Sequence, residues 1–310
     1  MTTALLGHDA FLEHETPFGH PENSQRLRAV SQALAAAEFE PLLRMEAREC
    51  EDKHILLAHT RAFLDAITQA SPQTGVRSLD ADTHMSPGSL TAARHAVGAN
   101  IQAVDEVMNG SATNAFCAVR PPGHHAEKTR PMGFCLFGNV AIGAKHALDA
   151  HGLERVAIID FDVHHGNGTQ DLVWDDERIM FASTHEMPLF PGSGARNETG
   201  AHGQIMNVPL AAGTSGPGLR AAYRDEILPA VRNFAPQFVF ISAGFDGHTR
   251  DPLANLALVE DDFAWVTREI CALANDCADA KLVSTLEGGY DLPALGRSVA
   301  AHVKVLMEQG

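Results

Sequence analysis

Five short apolar runs constrain this chain more than any other feature. They are "AFCAVR" (115–120), "RVAIID" (155–160), "RIMFAS" (178–183), "QFVFISA" (237–243) and "KLVSTLE" (281–287). Each is rich in β-branched or aromatic residues, and none alternates apolar with polar. A strand with one wet face alternates with period two; a strand covered on both faces does not. The runs therefore read as strands of a parallel sheet with helices packed over it. Amphipathic stretches lie between and around them. "HPENSQRLRAVSQALAAA" opens a helix with Pro21 at its first position and Glu22 in its first turn. "SPGSLTAARHAVGANIQAVDEVMNG" offers Ser86 as a cap, a stripe of Leu90, Ala93, Val97, Ile101, Val104 and Met108, and Gly110 as a stop. Similar patterns recur at 138–150, 216–233, 260–278 and 292–308. Strand, loop and helix follow in turn, which is α/β architecture in one domain over residues 1–310.

Composition narrows the function classes. The net charge is −16, from 23 basic and 39 acidic residues. A field of that sign repels nucleic-acid backbones and draws in cationic ligands, lysine-rich or polyamine substrates among them. No apolar segment approaches the roughly 18 to 20 residues of a membrane span. The opening "MTTALLGHDAFLEHE" has neither a basic region nor a long apolar stretch, so no secretory signal is expected. The five cysteines, Cys50, Cys117, Cys135, Cys271 and Cys277, are odd in number and never spaced CxxC. That argues against a disulfide framework or a cysteine zinc site and fits a reducing cytoplasm.

The chemistry lies just beyond the strands. In open α/β sheets, ligands bind outside the carboxyl ends of the strands. After the five runs come "PPGHHAE", "DFDVHHGNG", "STHEMPLFPGSG", "FDGH" and "EGGYD". A core has no use for so many polar groups, since each buried without a partner costs a few kcal/mol. These ends are expected to meet in a cleft. Asp160, Asp162 and His164 are spaced by two and share a face on an extended backbone. Asp162 and His164 make a natural oxygen–nitrogen ligand pair, and Asp246 in "AGFDGH" supplies a third. Three protein ligands with an open position describe a catalytic zinc. Taken alone, the same acids could equally cap helices or close turns.

The ordered set of motifs resembles the histone deacetylase superfamily, and within it the class II-like bacterial deacetylases and acetylpolyamine amidohydrolases. The matching pieces are "GHPENSQRL" (19–27), "RPPGHHAE" (120–127), "MGFCLFGNVAI" (132–142), "DFDVHHGNGTQ" (160–170), "FPGSG" (190–194), "NVPL" (207–210), "SAGFDGHTRDPL" (242–253) and "LEGGYDL" (286–292). The resemblance implies an arginase-like α/β fold with a central parallel sheet of about eight strands. It implies one Zn2+ on Asp162, His164 and Asp246, which activates water and polarises an acyl carbonyl. By the same similarity Tyr290 donates to the oxyanion. His124 and His125 match the family's tandem pair, backed by Asp160 and Asn167 respectively. An aspartate favours imidazolium and an asparagine does not, so the two rings should titrate differently. His125 would then be the general base and acid, and His124 a fixed cation.

Further positions carry over. Phe134 and Phe190 match the aromatic walls of an acyl-lysine tunnel, with Gly133 and Leu253 lining it. Polyamine-selective relatives of one type carry a glutamate where this chain has Leu253. Asp80 and Asp82 lie where the family has a rim loop that meets the substrate backbone or a cation; ordinary turn acids are the alternative. A structural K+ or Na+ would take backbone oxygens of Asp162 and His164 and side chains of Asp160 and Ser183. The resemblance thus implies a zinc-dependent amidohydrolase acting on an acylated primary amine, acyl-lysine or acylpolyamine. A catalytically dead acyl-lysine binder would need a lost ligand or a lost Tyr290. A ureohydrolase of the arginase fold would need aspartates for two manganese ions.

Overall fold

The computed structural model describes residues 2–309. Eight strands form one parallel sheet in the order β2-β1-β5-β10-β9-β6-β7-β8. They are β1 (Thr3–Gly7), β2 (Leu43–Glu46), β5 (Asn114–Cys117), β6 (Val156–Asp160), β7 (Ile179–Glu186), β8 (Ile205–Leu210), β9 (Phe238–Ala243) and β10 (Leu282–Leu286). A two-stranded antiparallel hairpin, β3 (Arg77–Ser78) with β4 (His84–Met85), stands apart from the sheet. The five apolar runs became β5, β6, β7, β9 and β10, and every residue of these strands is buried. Burial on both faces is why they do not alternate.

The helices are α1 (Gln25–Ala33), α2 (Asp52–Ile55), α3 (Arg61–Ala70), α4 (Ser89–Met108), α5 (Asn139–His151), α6 (Asn167–Val173), α7 (Gly216–Ala222), α8 (Leu228–Phe234), α9 (Glu260–Cys277) and α10 (Leu292–Gln309). A π turn at Tyr223–Ile227 joins α7 to α8, so the stretch at 216–233 is helical throughout. Helices α4 and α5 pack together over β5, β10, β6 and β9; α1, α10, α9 and α8 pack against one another and reach β5, β7 and β9.

Two helix starts differ from the sequence reading. Helix α1 begins at Gln25, not at Pro21. Asn23 takes its Nδ2 to the His20 and Pro21 carbonyls, and its Oδ1 accepts the Gln25 N–H, closing a turn before the helix. Glu22 is wholly buried in that turn against two arginines, not at a solvated helix start. Helix α4 begins at Ser89 after Gly88. Ser86 does not cap it, because its hydroxyl bridges the Glu13 carbonyl and the Glu15 N–H. Among the described residues no helix is long and apolar enough to cross a membrane.

Candidate active site

Strand β6 ends at Asp160, so Asp162 and His164 do not sit on an extended strand as their spacing suggested. They lie on a bend that folds around its own carboxylates. The Asp162 N–H donates to Asp160 Oδ1 (3.0 Å), and the His164 N–H donates to Asp162 Oδ1 (2.9 Å). From the end of β9, Asp246 Oδ1 accepts the Val163 N–H at 3.0 Å. His164 Nδ1 then lies 3.1 Å from Asp246 Oδ2 and 3.3 Å from Asp162 Oδ1. One ligand atom from each of Asp162, His164 and Asp246 falls within 4.8 Å of the others.

The donor set fits a divalent cation. Asp162 and Asp246 are buried, and among the described residues their only ion-pair partners are imidazoles. Two buried carboxylates without a Lys or Arg partner are costly unless a cation joins them. Two oxygens and one nitrogen, with the fourth direction open, suit zinc. The backbone closes the other side. The Gly288 N–H donates to Asp162 Oδ2 (2.8 Å), and a Cβ at Gly288 would stand 2.0 Å from Asp246 Oδ2. Only glycine lets that strand end approach so closely.

The tandem histidines follow β5 and are both buried, with ring centroids 4.0 Å apart. His124 Nδ1 is 3.1 Å from Asp160 Oδ2, and its Nε2 is 3.8 Å from Asp162 Oδ2. Burial opposes protonation of His124, but the Asp162 and Asp160 carboxylates outweigh it and push its pKa up to about 10. His125 goes the other way. Burial, and then the neighbouring His124 and His164, hold its pKa well below the usual imidazole value. Its Nδ1 lies 2.8 Å from Asn167 Oδ1, while Asn167 Nδ2 donates to Glu127 Oε1 at 2.7 Å. That orientation makes His125 Nδ1–H the donor and leaves a lone pair on Nε2.

His125, His164 and Tyr290 open on a cavity of about 250 Å³, walled by Gly133, Phe134, Phe190, Leu189 and Leu253, with Asp82 at its edge. The Phe190 ring stands edge-on to His125 at 5.1 Å, and Phe134 stands edge-on to Tyr290 at 5.9 Å. A Cβ at Gly133 would meet the His125 ring at 2.4 Å, so this wall presses directly on the imidazole. Phe134 adopts φ of 68°, a left-handed conformation rare for aromatic residues. Asp82 and Thr83 hold it there: Asp82 Oδ1 accepts the Gly133 N–H (3.2 Å) and Thr83 Oγ1 accepts the Phe134 N–H (3.1 Å). Asp80 takes no part in the cavity; its Oδ1 accepts the Asp82 and Thr83 N–H groups in an exposed turn. Burial raises the Tyr290 phenol well above 10, so at neutral pH it keeps its proton. Asp160 and Ser183 sit opposite each other on β6 and β7, and Ser183 Oγ bonds His185 Nδ1 at 2.9 Å.

Residues 20–306 match the sequence profile of the histone deacetylase domain. The chain belongs to the histone deacetylase family. Proteins similar to it occur in widely separated organisms. An uncharacterized protein of Synechocystis is 40% identical, with 98% of this chain and 99% of that one covered. A probable deacetylase of Archaeoglobus fulgidus is 38% identical over 94% of this chain and 82% of its own. Histone deacetylase 14, chloroplastic, of Arabidopsis thaliana is 35% identical over 98% and 75%. The crystal structure of the HDA15 HD domain superposes with a TM-score of 0.93 at 34% identity, covering 99% of this chain and 88% of that one. The fold is accordingly the arginase/deacetylase-like one, with its eight-stranded parallel sheet.

Four supporting residues escaped the sequence reading. Glu287 Oε2 accepts the N–H groups of Gly123 (2.7 Å) and His124 (3.1 Å), and its Oε1 accepts the Ser242 hydroxyl (3.2 Å). Asp251 Oδ2 accepts the Tyr290 N–H (2.7 Å) and its Oδ1 the Leu253 N–H (3.0 Å). Arg26 lies 4.9 Å from the centre of the Tyr290 ring, donates to the Glu287 and Gly289 carbonyls, and pairs with Glu22. Glu22 in turn grips Arg120. All four are charged residues inside the motifs quoted above, and "EGGYD", "RDPL" and "HPENSQRL" held that signal.

Proposed function

We propose that this chain is a zinc-dependent deacylase that hydrolyses the amide of an acylated primary amine, most closely an acyl-lysine side chain. One observation carries the reading. His164, backed by Asp162 and Asp246, meets the neutral His125 and the protonated Tyr290 at a narrow cavity walled by two phenylalanines. Such walls suit a thin alkyl chain ending in an amide.

Asp162, His164 and Asp246 would hold one catalytic zinc. When bound it would polarise the acyl carbonyl and make water acidic enough to attack at neutral pH. His125 takes the proton of the attacking water at Nε2 and returns it to the leaving amine as the C–N bond breaks. The products are the free acid and the amine. Asn167 holds His125 in the tautomer this requires. His124, protonated against Asp160, supplies fixed positive charge beside the oxygens that gain negative charge. Tyr290, which keeps its proton, donates a hydrogen bond to the carbonyl oxygen as that charge develops. Phe134, Phe190, Leu253 and Gly133 exclude water from around the alkyl chain. Asp160 and Ser183, with backbone oxygens of Asp162 and His164, form the place where a structural K+ or Na+ would sit.

The same chemistry would serve an acetylpolyamine, and the charge of −16 favours cationic substrates. Leu253 offers no carboxylate to a distal ammonium, which favours the lysine-type substrate. The residues act as a single catalytic domain, and the five free thiols suit a reducing compartment such as the cytoplasm. The test is a panel of acyl-lysine peptides and acylated polyamines of several acyl lengths, run beside metal analysis. Zinc-loaded protein should turn over acetyl-lysine peptide with higher kcat/KM than acetylputrescine. Zinc-loaded protein inert on the whole panel would overturn the proposal.

A further inference from the structure

The second cluster of metal-ligating side chains lies on helices and shares no residue with the cavity. Asp105 is near the end of α4; His146 and His151 are on α5. His146 Nε2 and His151 Nε2 each lie 2.8 Å from the same oxygen, Asp105 Oδ1. The two rings stand nearly perpendicular, 5.5 Å between centroids. One ligand atom from each of the three falls within 4.8 Å of the others. We propose that Asp105, His146 and His151 form a second divalent transition-metal site that clamps α4 to α5.

Three features favour a metal over a simple hydrogen-bonded triad. First, two imidazoles and one carboxylate are the donor set that zinc, cobalt and nickel share, and all three groups are partly open to solvent, which completes the shell. Around a tetrahedral ion at about 2.0–2.1 Å the donors stand roughly 3.3 Å apart, so each imidazole need retreat only about half an ångström. Second, neither His146 Nδ1 nor His151 Nδ1 has a protein partner among the described residues. Each ring is free to carry its proton on Nδ1 and offer the Nε2 lone pair. The nearby His54 lacks this freedom: its ring is 5.9 Å from His146, but its Nδ1 accepts the Glu51 N–H, so it is no ligand. Third, α4 and α5 pack along each other, so the donors come from two braced helices, not from loops. The strongly negative chain also concentrates divalent cations at its surface.

The inference does not rest on the proposed deacylase reading. Chelator-stripped protein is titrated with Co2+ and with Zn2+ against a chromophoric competitor, and bound equivalents are counted. The wild type should bind two per chain. His146→Ala with His151→Ala should lose one equivalent and keep its rate on acyl-lysine peptide, while His164→Ala should lose the other. Asp105→Asn, which preserves shape, should weaken the same equivalent that the double substitution removes. Retention of the wild-type count by the double variant, or a single wild-type equivalent that survives it, would overturn the proposal. A single equivalent removed by the double substitution would uphold it and would count instead against metal at Asp162, His164 and Asp246.

Discussion

Replacing Glu287 by alanine should damage both folding and turnover, and the structure says by how much. Its carboxylate is fully buried and accepts two backbone N–H groups, those of Gly123 and His124, together with the Ser242 hydroxyl. Glu287→Ala leaves both N–H groups without an acceptor. A buried donor left unsatisfied costs about 1–3 kcal/mol, so the variant should lose about 2–6 kcal/mol of stability. The same loop carries both histidines of the candidate site. A shift of about 1 Å in a proton-transfer group can cost roughly 10²-fold in rate, and kcat on acetyl-lysine peptide should fall by about that factor. Glu287→Gln is the discriminating control. Its amide oxygen can accept both N–H groups, while its NH2 faces Ser242 Oγ, which can turn to accept it. Burial, despite the opposing pull of His124, already pushes the Glu287 pKa up to about 7, so much of the wild type is neutral there at pH 7. The glutamine variant should therefore stay within ~1 kcal/mol of wild type. Urea unfolding of metal-saturated protein, with kcat measured on the same preparations, checks both numbers. The reasoning fails if the alanine variant loses less than ~1 kcal/mol, or if glutamine is as damaging as alanine.

Three shorter predictions complete the set. Tyr290→Phe should lower kcat on acyl-lysine peptide by about 10²-fold with little change in KM, because it removes an oxyanion donor; an unchanged kcat refutes that role. Asp246→Ala should reduce bound zinc after dialysis against trace metal, read by elemental analysis, and full occupancy would remove Asp246 from the ligand set. His302 is wholly buried between Thr267 and Ser284, and burial lowers its pKa from 6.5 to about 3. The unfolded chain therefore binds the extra proton below pH 6.5, and stability contributed at neutral pH is lost as pH falls from 6.5 toward 3. At about 1.4 kcal/mol per pH unit, the gap between wild type and His302→Gln should narrow by about 2 kcal/mol between pH 6.5 and 5; a constant gap would show that His302 does not titrate this way.

The sheet interior was legible because burial writes itself into composition. The runs that became β5, β6, β7, β9 and β10 are buried at every step and mostly apolar, and the polar residues of β6 and β7 gather toward their carboxyl ends. The other three strands left no such mark. β2, "LRME", is an edge strand with mostly exposed side chains, and β8, "IMNVPL", is the opposite edge and carries Pro209. A proline weakens any strand assignment, yet at an edge its missing N–H costs nothing. β1 is only "TALLG", too short to stand out from a helical start. Among the residues that line the cavity, all but Leu189 were named from motifs, as were Asp160 and Asn167. Glu287, Asp251 and Arg26 act on backbone atoms of those motifs, and a backbone partner leaves no spacing to read. The supposed extended face at Asp160–His164 illustrates the same limit. Its carboxylates converge because they bind the turn's own N–H groups, which side-chain periodicity does not describe.

The position of β10 has a consequence for how the protein is made. It follows all seven other strands of its sheet in the chain, yet it lies in the middle, between β5 and β9. On the ribosome, β2-β1-β5 and β9-β6-β7-β8 are synthesised first as two separate ribbons, each with an unsatisfied inner edge. Such edges are templates for pairing with another chain. They stay open until residues 282–286 emerge and slot between them. The candidate ligand triad belongs to one ribbon and the tandem histidines to the other, and Tyr290 comes last, just beyond the closing strand. A nascent chain that stops short of β10 can bring the two halves together only through α4 against α5 and the loops at the strand ends, with no strand pairing between them, and both inner edges stay open to wrong partners until β10 is released.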